Sequence, residues 1–129
     1  ALSQFILKSV KREDIVLKSE GTQEFSYAYV ADCVAGILAV MMDGKDGEAY
    51  NICSKDSDVQ LREVAKHLAE LAERQVVFDL PDATEQAGYS KATKATLDTT
   101  KLETELGFVP QYDMKTGLSH TVQVLREIM

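Results

Sequence analysis

The stretch from Cys33 to Met42, Cys-Val-Ala-Gly-Ile-Leu-Ala-Val-Met-Met, carries no charged side chain. A helix with one solvated face would break such a run with a polar residue every three or four positions. This one is apolar nearly all round, so it predicts a helix covered on more than one side. Immediately before it, Phe25, Tyr27 and Tyr29 alternate with Ser26, Ala28 and Val30. A period of two puts three aromatic rings on one face of an extended segment. Asp32 stands at the join, and an Asp side chain accepts readily from the unpaired amides of a first helical turn. The sequence from Gly21 to Asp32 therefore reads as an aromatic-faced strand feeding a buried helix that Asp32 caps. That helix is expected to end at Asp43-Gly44, with the glycine closing it.

The flanking sequence reads as short strands and amphipathic helices. Leu2 to Val10 spaces Phe5, Ile6 and Val10 as a short helix. Nothing precedes it for that helix to pack on, which points to a piece of a longer protein. Asp14 to Leu17 is a short strand. Lys18 to Gly21 is a turn with glycine where a positive φ is needed, so the aromatic strand is expected to return as a β-hairpin. Gly47 to Cys53 reads as a further strand. Leu61, Val64, Leu68 and Leu71 then recur at helical spacing, with Arg62, Glu63, Lys66, Glu70 and Glu73 on the opposite face. Val76 to Leu80 is a strand that Pro81 stops. Pro81 to Thr96 is polar and without period, and a loop of that length in a compact domain is a place to look for function. Leu97 to Leu106 is a short helix capped by Asp98 or Thr99 and ended by Gly107 and Pro110. Asp113 caps a last helix whose stripe is Leu118, Val122, Leu125 and Ile128. The expected fold is a single domain over residues 1–129: α/β, a small mixed sheet with flanking helices.

Composition narrows the function. The chain has 129 residues with a net charge of −7, the wrong sign for gripping a phosphate backbone or an anionic bilayer. No nucleic-acid or membrane partner is expected, although one or two local cations suffice to hold a phosphorylated small molecule. Cys33 and Cys53 have no metal-type spacing and read as buried, reduced thiols. With no secretory signal in view, a cytoplasmic location is expected. His67 and His120 lie on different helices and read as solvent-facing rather than as ligands, since metal sites cluster their donors.

The chemistry-bearing patterns are missing. The glycines, at 21, 36, 44, 47, 88, 107 and 117, never group as a dinucleotide-binding turn requires. A Tyr with a Lys one helical turn later is absent: the residues four beyond Tyr27, Tyr29, Tyr50, Tyr89 and Tyr112 are Ala31, Cys33, Ser54, Thr93 and Thr116. No catalytic residue, cofactor-binding residue or metal ligand is assigned.

Three ordered motifs nevertheless belong together. Gly-Thr-Gln-Glu-Phe-Ser-Tyr-Ala-Tyr-Val-Ala-Asp-Cys-Val, Gly-Glu-Ala-Tyr-Asn-Ile, and Leu-Asp-Thr-Thr-Lys-Leu-Glu-Thr-Glu-Leu-Gly-Phe-Val-Pro follow one another, and Tyr-Asp-Met-Lys-Thr-Gly-Leu opens the last helix. This series resembles the C-terminal part of NAD-dependent nucleotide-sugar epimerases and dehydratases, the extended short-chain dehydrogenase/reductases. The resemblance covers essentially the whole chain. It implies a substrate-binding fragment, inactive alone, whose partner is a missing N-terminal Rossmann part that holds NAD and the catalytic Tyr and Lys. It implies a nucleotide-diphosphate sugar as ligand, with Tyr27 near the nucleotide and Lys94, or Lys91, as the cation in the loop before the last Asp-x-x-Lys helix. Family members carry an Arg where this chain has Phe25, and a phenyl ring supplies none of the forked donors that match phosphate oxygens. That departure keeps open an alternative, a non-catalytic binding or assembly module on the same scaffold. With the Rossmann part absent, the apolar helix would be uncovered and the isolated chain is expected to form a homo-oligomer.

Overall fold

A computed structural model describes residues 1–88 and 92–129. In chain order the elements are α1 (Leu2–Val10), β1 (Ile15–Leu17), β2 (Glu24–Ser26), α2 (Val30–Asp43), β3 (Asp58–Gln60), α3 (Leu61–Leu71), β4 (Val76–Phe78), α4 (Ala83–Gln86), β5 (Lys94–Ala95), α5 (Thr100–Leu106) and α6 (Met114–Ile128). The class is mixed α/β, as the sequence implies, but the strands form two small sheets rather than one.

The core gathers where α1, α3 and α6 meet β1. Phe5, Ile15, Leu17, Val64, Leu68, Leu118 and Val122 are buried together, and Ala65 and Ala69 let α3 approach closely. The helix periodicity of α3 puts Val64, Ala65, Leu68 and Ala69 on one side, so a single stripe supplies much of the cover. Polar bonds fix the three helices: Ser9 Oγ donates to Leu68 O at 2.7 Å, and the Arg126 guanidinium donates to Ser9 O at 3.1 Å and to Leu71 O at 3.0 Å. The first helix thus has a surface to pack on within this chain, contrary to the sequence expectation. β1 runs parallel to β4 with Ile15 opposite Val76, α3 lies between the two strands in sequence, and Lys18 pairs with Asp79 just beyond them.

The second sheet has the order β3-β2-β5. β2 is antiparallel to β3, with Phe25 opposite Val59, and parallel to β5, with Glu24 opposite Lys94 and Phe25 opposite Ala95. The expected hairpin between β1 and β2 does not form. Gly21, at φ +72°, turns the chain onto the start of α3, where Gly21 O and Gln23 O accept from the amides of Arg62 and Leu61, both at 2.9 Å. A Cβ at Gly21 would sit 2.7 Å from Arg62 Cβ, so only glycine allows this approach.

Other expectations shift for equally local reasons. The aromatic strand stops at Ser26 because Ser54 takes over the backbone beyond it: its amide donates to Tyr27 O at 2.9 Å and its Oγ accepts from the Tyr29 amide at 2.7 Å. Gly47 to Cys53 joins no ladder; side chains hold it instead, with Asn51 Nδ2 donating to Asp98 O at 3.1 Å and Lys101 Nζ to Ala49 O at 3.0 Å. α2 begins at Val30, so Asp32 lies inside its first turn and is not the cap. Gly44 is extended rather than left-handed; it is required because a Cβ there would lie 2.4 Å from Val40 O.

The largest correction concerns α2 itself. Only Asp32 and Gly36 are buried on it, Gly36 because Ile52 presses to within 2.9 Å of where its Cβ would be. Val30, Val34, Ile37, Leu38 and Met41, one stripe at helical spacing, are exposed, with Met41 at 75% and Met42 at 80%. The side of the helix that the sequence demands be covered is bare in this chain. Residues 81–96, expected as a loop, carry α4 and β5, and Ile128, expected in the α6 stripe, is exposed, whereas α3, α5 and the start of α6 fall where expected. Asp98 Oδ1 accepts from the Thr100 amide at 2.9 Å, Gly107 ends α5 at φ +66°, and Asp113 caps α6 by accepting from the Thr116 amide at 2.8 Å.

Candidate ligand-binding site

The residues singled out by sequence fall in separate places. Lys94 lies on β5 at the edge of the three-stranded sheet, exposed, with its Nζ 3.8 Å from Glu24 Oε2. Phe25, half-buried on the adjacent strand, is held between Val59 and Ala95. The sheet therefore brings Lys94 beside Phe25. Lys91 lies outside the described residues.

Tyr27 takes a different direction. Its ring packs against the main core and lines a cavity of about 300 Å³ together with Ile6, Val64, Met114 and Leu118. Burial pushes its phenol pKa up, so it is a neutral donor at any ordinary pH. Lys94 is not part of that lining, so the described residues do not join Tyr27 and Lys94 in one pocket. A second hollow, of about 730 Å³, opens where the parallel strands β1 and β4 end, bordered by Lys18, Glu20, Gln23, Leu80 and Pro81. Neither strand leads into a glycine-rich turn. Lys18 to Gly21 follows β1 and Asp79-Leu80-Pro81 follows β4, so these junctions do not fit the pyrophosphate cradle of a dinucleotide.

Sequence reasoning missed the carboxylate that organises this region. Asp32 is 2% exposed. Its Oδ1 accepts from the Gln111 amide at 2.8 Å, and its Oδ2 from Ser54 Oγ at 2.8 Å and from the Tyr112 amide at 3.2 Å. One side chain thereby ties the start of α2, the Ser54 turn and the segment entering α6. Beside it the Tyr29, Tyr112 and His120 rings meet edge to face, with centroids 4.7 to 5.9 Å apart. His67 is half-buried rather than solvent-facing: its Nε2 lies 3.0 Å from both Lys115 O and Ser119 Oγ and fastens α3 to α6. Cys53 is buried as expected, while Cys33 is half-buried. Among the described residues no three His, Cys, Asp or Glu side chains are placed to hold a metal ion, and no helix is long and apolar enough to cross a membrane.

Comparison with known proteins fits this arrangement to a larger one. Residues 1–53 match the model of the NAD dependent epimerase/dehydratase family. A protein of Bacillus cytotoxicus named UDP-N-acetyl-alpha-D-glucosaminuronate decarboxylase is 28% identical over 129 residues, covering 98% of this chain and 40% of its own. The chain is thus similar to members of the NAD-dependent epimerase/dehydratase family. The dTDP-glucose 4,6-dehydratase of Streptomyces niveus is 29% identical over 117 residues, covering 89% of this chain and 33% of its own. Among solved structures, the UDP-glucose 4-epimerase of Thermotoga maritima with UDP-glucose aligns at TM-score 0.80 and 25% identity, over 98% of this chain and 39% of that one. The dTDP-glucose 4,6-dehydratase of Bacillus anthracis in complex with NAD aligns at TM-score 0.80 and 19% identity, over 98% and 38%. The chain spans 40% or less of the length of these two curated relatives.

Proposed function

We propose that the chain is the C-terminal, substrate-binding region of an NAD-dependent nucleotide-sugar epimerase or dehydratase, inactive by itself. The observation that carries this reading is the match of 98% of the chain to about two-fifths of enzymes named for UDP- and dTDP-sugars. On this reading NAD and the catalytic Tyr and Lys belong to a Rossmann part outside this sequence, and the isomerase or lyase chemistry is performed there, in the cytoplasm. Lys94, with Lys91 as its alternative, supplies a point charge to the diphosphate, and Tyr27 lies near the nucleotide.

A second reading is supported by Phe25 and by the bare stripe on α2: a non-catalytic module on the same scaffold that assembles with itself or with another chain. Large uncovered apolar surface drives association. Titration of the chain with UDP-glucose and dTDP-glucose, following the amide resonances of Tyr27 and of residues 88–94, separates the two. Saturable shifts support the substrate-binding reading. Silence with both nucleotides supports the assembly reading. Phe25→Arg places a forked cation beside Lys94, so on the first reading it tightens binding; an unchanged affinity sides with the second.

A further inference from the structure

We propose that the link between Asp46 and Gly47 is a site of spontaneous main-chain modification, where Asp46 isomerises through a cyclic imide to isoaspartate. The chain holds two Asp-Gly steps close together, Asp43-Gly44 and Asp46-Gly47. Their local chemistry is the same, and the structure treats them oppositely.

Glycine makes either step reactive. With no Cβ beside it, the glycine nitrogen approaches the preceding carboxyl unhindered. That nitrogen bonds to the aspartate Cγ, the amide proton and the carboxyl hydroxyl leave as one water, and a five-membered imide closes. One water then adds back. Cleavage of the new Cγ–N bond restores aspartate, whereas cleavage of the original C–N bond leaves the main chain running through Cβ and Cγ. The net change is a rearrangement of the same atoms.

At Asp43 the nitrogen is held. Asp43 is the last residue of α2, and the Gly44 amide donates to Val40 O at 2.8 Å. Space is closed as well, since a Cβ at Gly44 would lie 2.4 Å from Val40 O and 3.1 Å from Val40 Cγ1. Ring closure there must break a helical hydrogen bond and turn Asp43 out of its helical backbone.

At Asp46 nothing holds it. Lys45 to Glu48 form a turn closed by the Glu48 amide, which donates to Lys45 O at 3.2 Å, with Gly47 third in the turn at φ +75°. A β-turn bonds only its first and last residues, so the Gly47 amide is left to solvent. Among the described residues neither that amide nor the Asp46 carboxyl has a partner. Both residues are exposed, and no other part of the chain comes within 4 Å of where a Gly47 Cβ would stand. The electrophile, the nucleophile and the room for the ring coincide at this step.

The product has somewhere to act. Isoaspartate inserts a methylene between Lys45, whose amide donates to Tyr50 Oη at 3.2 Å, and Glu48, which pairs with Lys101. Lys101 Nζ also donates to Ala49 O at 3.0 Å. These contacts tie the loop after α2 to α5, and the longer main chain loosens them. The assignment uses no residue that would meet a nucleotide sugar and stands apart from that reading.

The test is prolonged incubation of the full native chain in neutral buffer. Peptide mapping then separates isoaspartyl from aspartyl peptides, and an isoaspartate-specific carboxyl methyltransferase with S-adenosylmethionine labels the product. Isoaspartate is expected at residue 46. At residue 43 it should form at least about twofold more slowly, the effect of keeping one neutral hydrogen bond. In concentrated urea, where turn and helix are both gone, the two sites should react alike. Asp46→Glu, which would have to close a less favourable six-membered ring, should lose the label at residue 46 while circular dichroism stays unchanged. The proposal is overturned if the native chain forms no isoaspartate at residue 46, or if residues 43 and 46 react equally. It is overturned also if their difference persists in urea, which would place the preference in the neighbouring sequence and not in the fold.

Discussion

Replacing Asp32 tests the organisation of the candidate region more directly than any other single change. The carboxylate is almost fully buried and accepts three hydrogen bonds, two at 2.8 Å and one at 3.2 Å. Asp32→Asn keeps the shape but offers one oxygen in place of two, and its amide N–H must then point at a donor. At least one charge-assisted bond is lost, worth about 1.5–3 kcal/mol, and the survivors fall to the roughly 0.5–1.5 kcal/mol of neutral bonds. The expected cost is about 3 kcal/mol. Asp32→Ala removes all three acceptor contacts and leaves the Gln111 and Tyr112 amides and Ser54 Oγ without their partner, for about 4–5 kcal/mol. Against a total stability of about 5–15 kcal/mol for a domain of this kind, the alanine variant stands near the edge of folding. Urea denaturation at neutral pH, followed by far-ultraviolet circular dichroism, measures both variants, and the m-value checks that the denatured state is unchanged. An Asp32→Asn midpoint equivalent to less than about 0.5 kcal/mol, the range of ordinary surface changes, would refute the reasoning.

The remaining predictions concern the caps and the bare helix. Asp113→Ala should cost about 1 kcal/mol at neutral pH through loss of the α6 cap. Because the native carboxyl titrates below its ordinary value, that contribution is complete above the unfolded carboxylate pKa and is lost as pH falls through the lowered native value. Urea midpoints of the two proteins should therefore converge in acid. Gly107→Ala places a Cβ at φ +66° with open space around it, so only backbone strain of about 1–2 kcal/mol is expected, read from the same denaturation curves. Ile37→Glu combined with Met41→Lys should leave stability within about 0.5 kcal/mol, because both side chains are already solvated. The pair should nevertheless abolish self-association seen by light scattering at high concentration; a chain that is monomeric before the change would contradict the assembly reading.

How much of this was legible depends on whether a residue's partner lies nearby in sequence. α3 is readable because Val64, Leu68 and the intervening alanines carry its stripe unaided, and α6 because Asp113 and Thr116 settle its start locally. Asp32 is conspicuous at a strand–helix join, yet its partners Gln111 and Tyr112 lie 79 and 80 residues on, so capping is the only role a local reading can give it. Gly21 signals a turn, but its contact with Arg62, which diverts the chain from a hairpin, is invisible until α3 is in place. The Gly47 to Cys53 run has strand-like composition, but the bonds that hold it come from Asp98 and Lys101, 47 and 52 residues on. For Lys94 the sequence supplies the residue, while only the parallel pairing of β5 with β2 sets it next to Phe25.

The junction of α1 with α6 bears on how the chain is made. Ser9 and Arg126, bonded through backbone and guanidinium, are 117 residues apart, and Phe5 shares its core with Leu118 and Val122. A polypeptide emerging from the ribosome cannot complete that core until its last helix has cleared the exit tunnel. Until then Phe5 and Leu68 lack one wall, and the stripe on α2 adds to the apolar surface in view. Synthesis at about 5–20 residues per second leaves the nascent chain in that state for several seconds. Any stop codon upstream of Met114 makes the exposure permanent, so such a truncation is expected to yield a substrate for chaperones and proteases in place of a smaller folded protein.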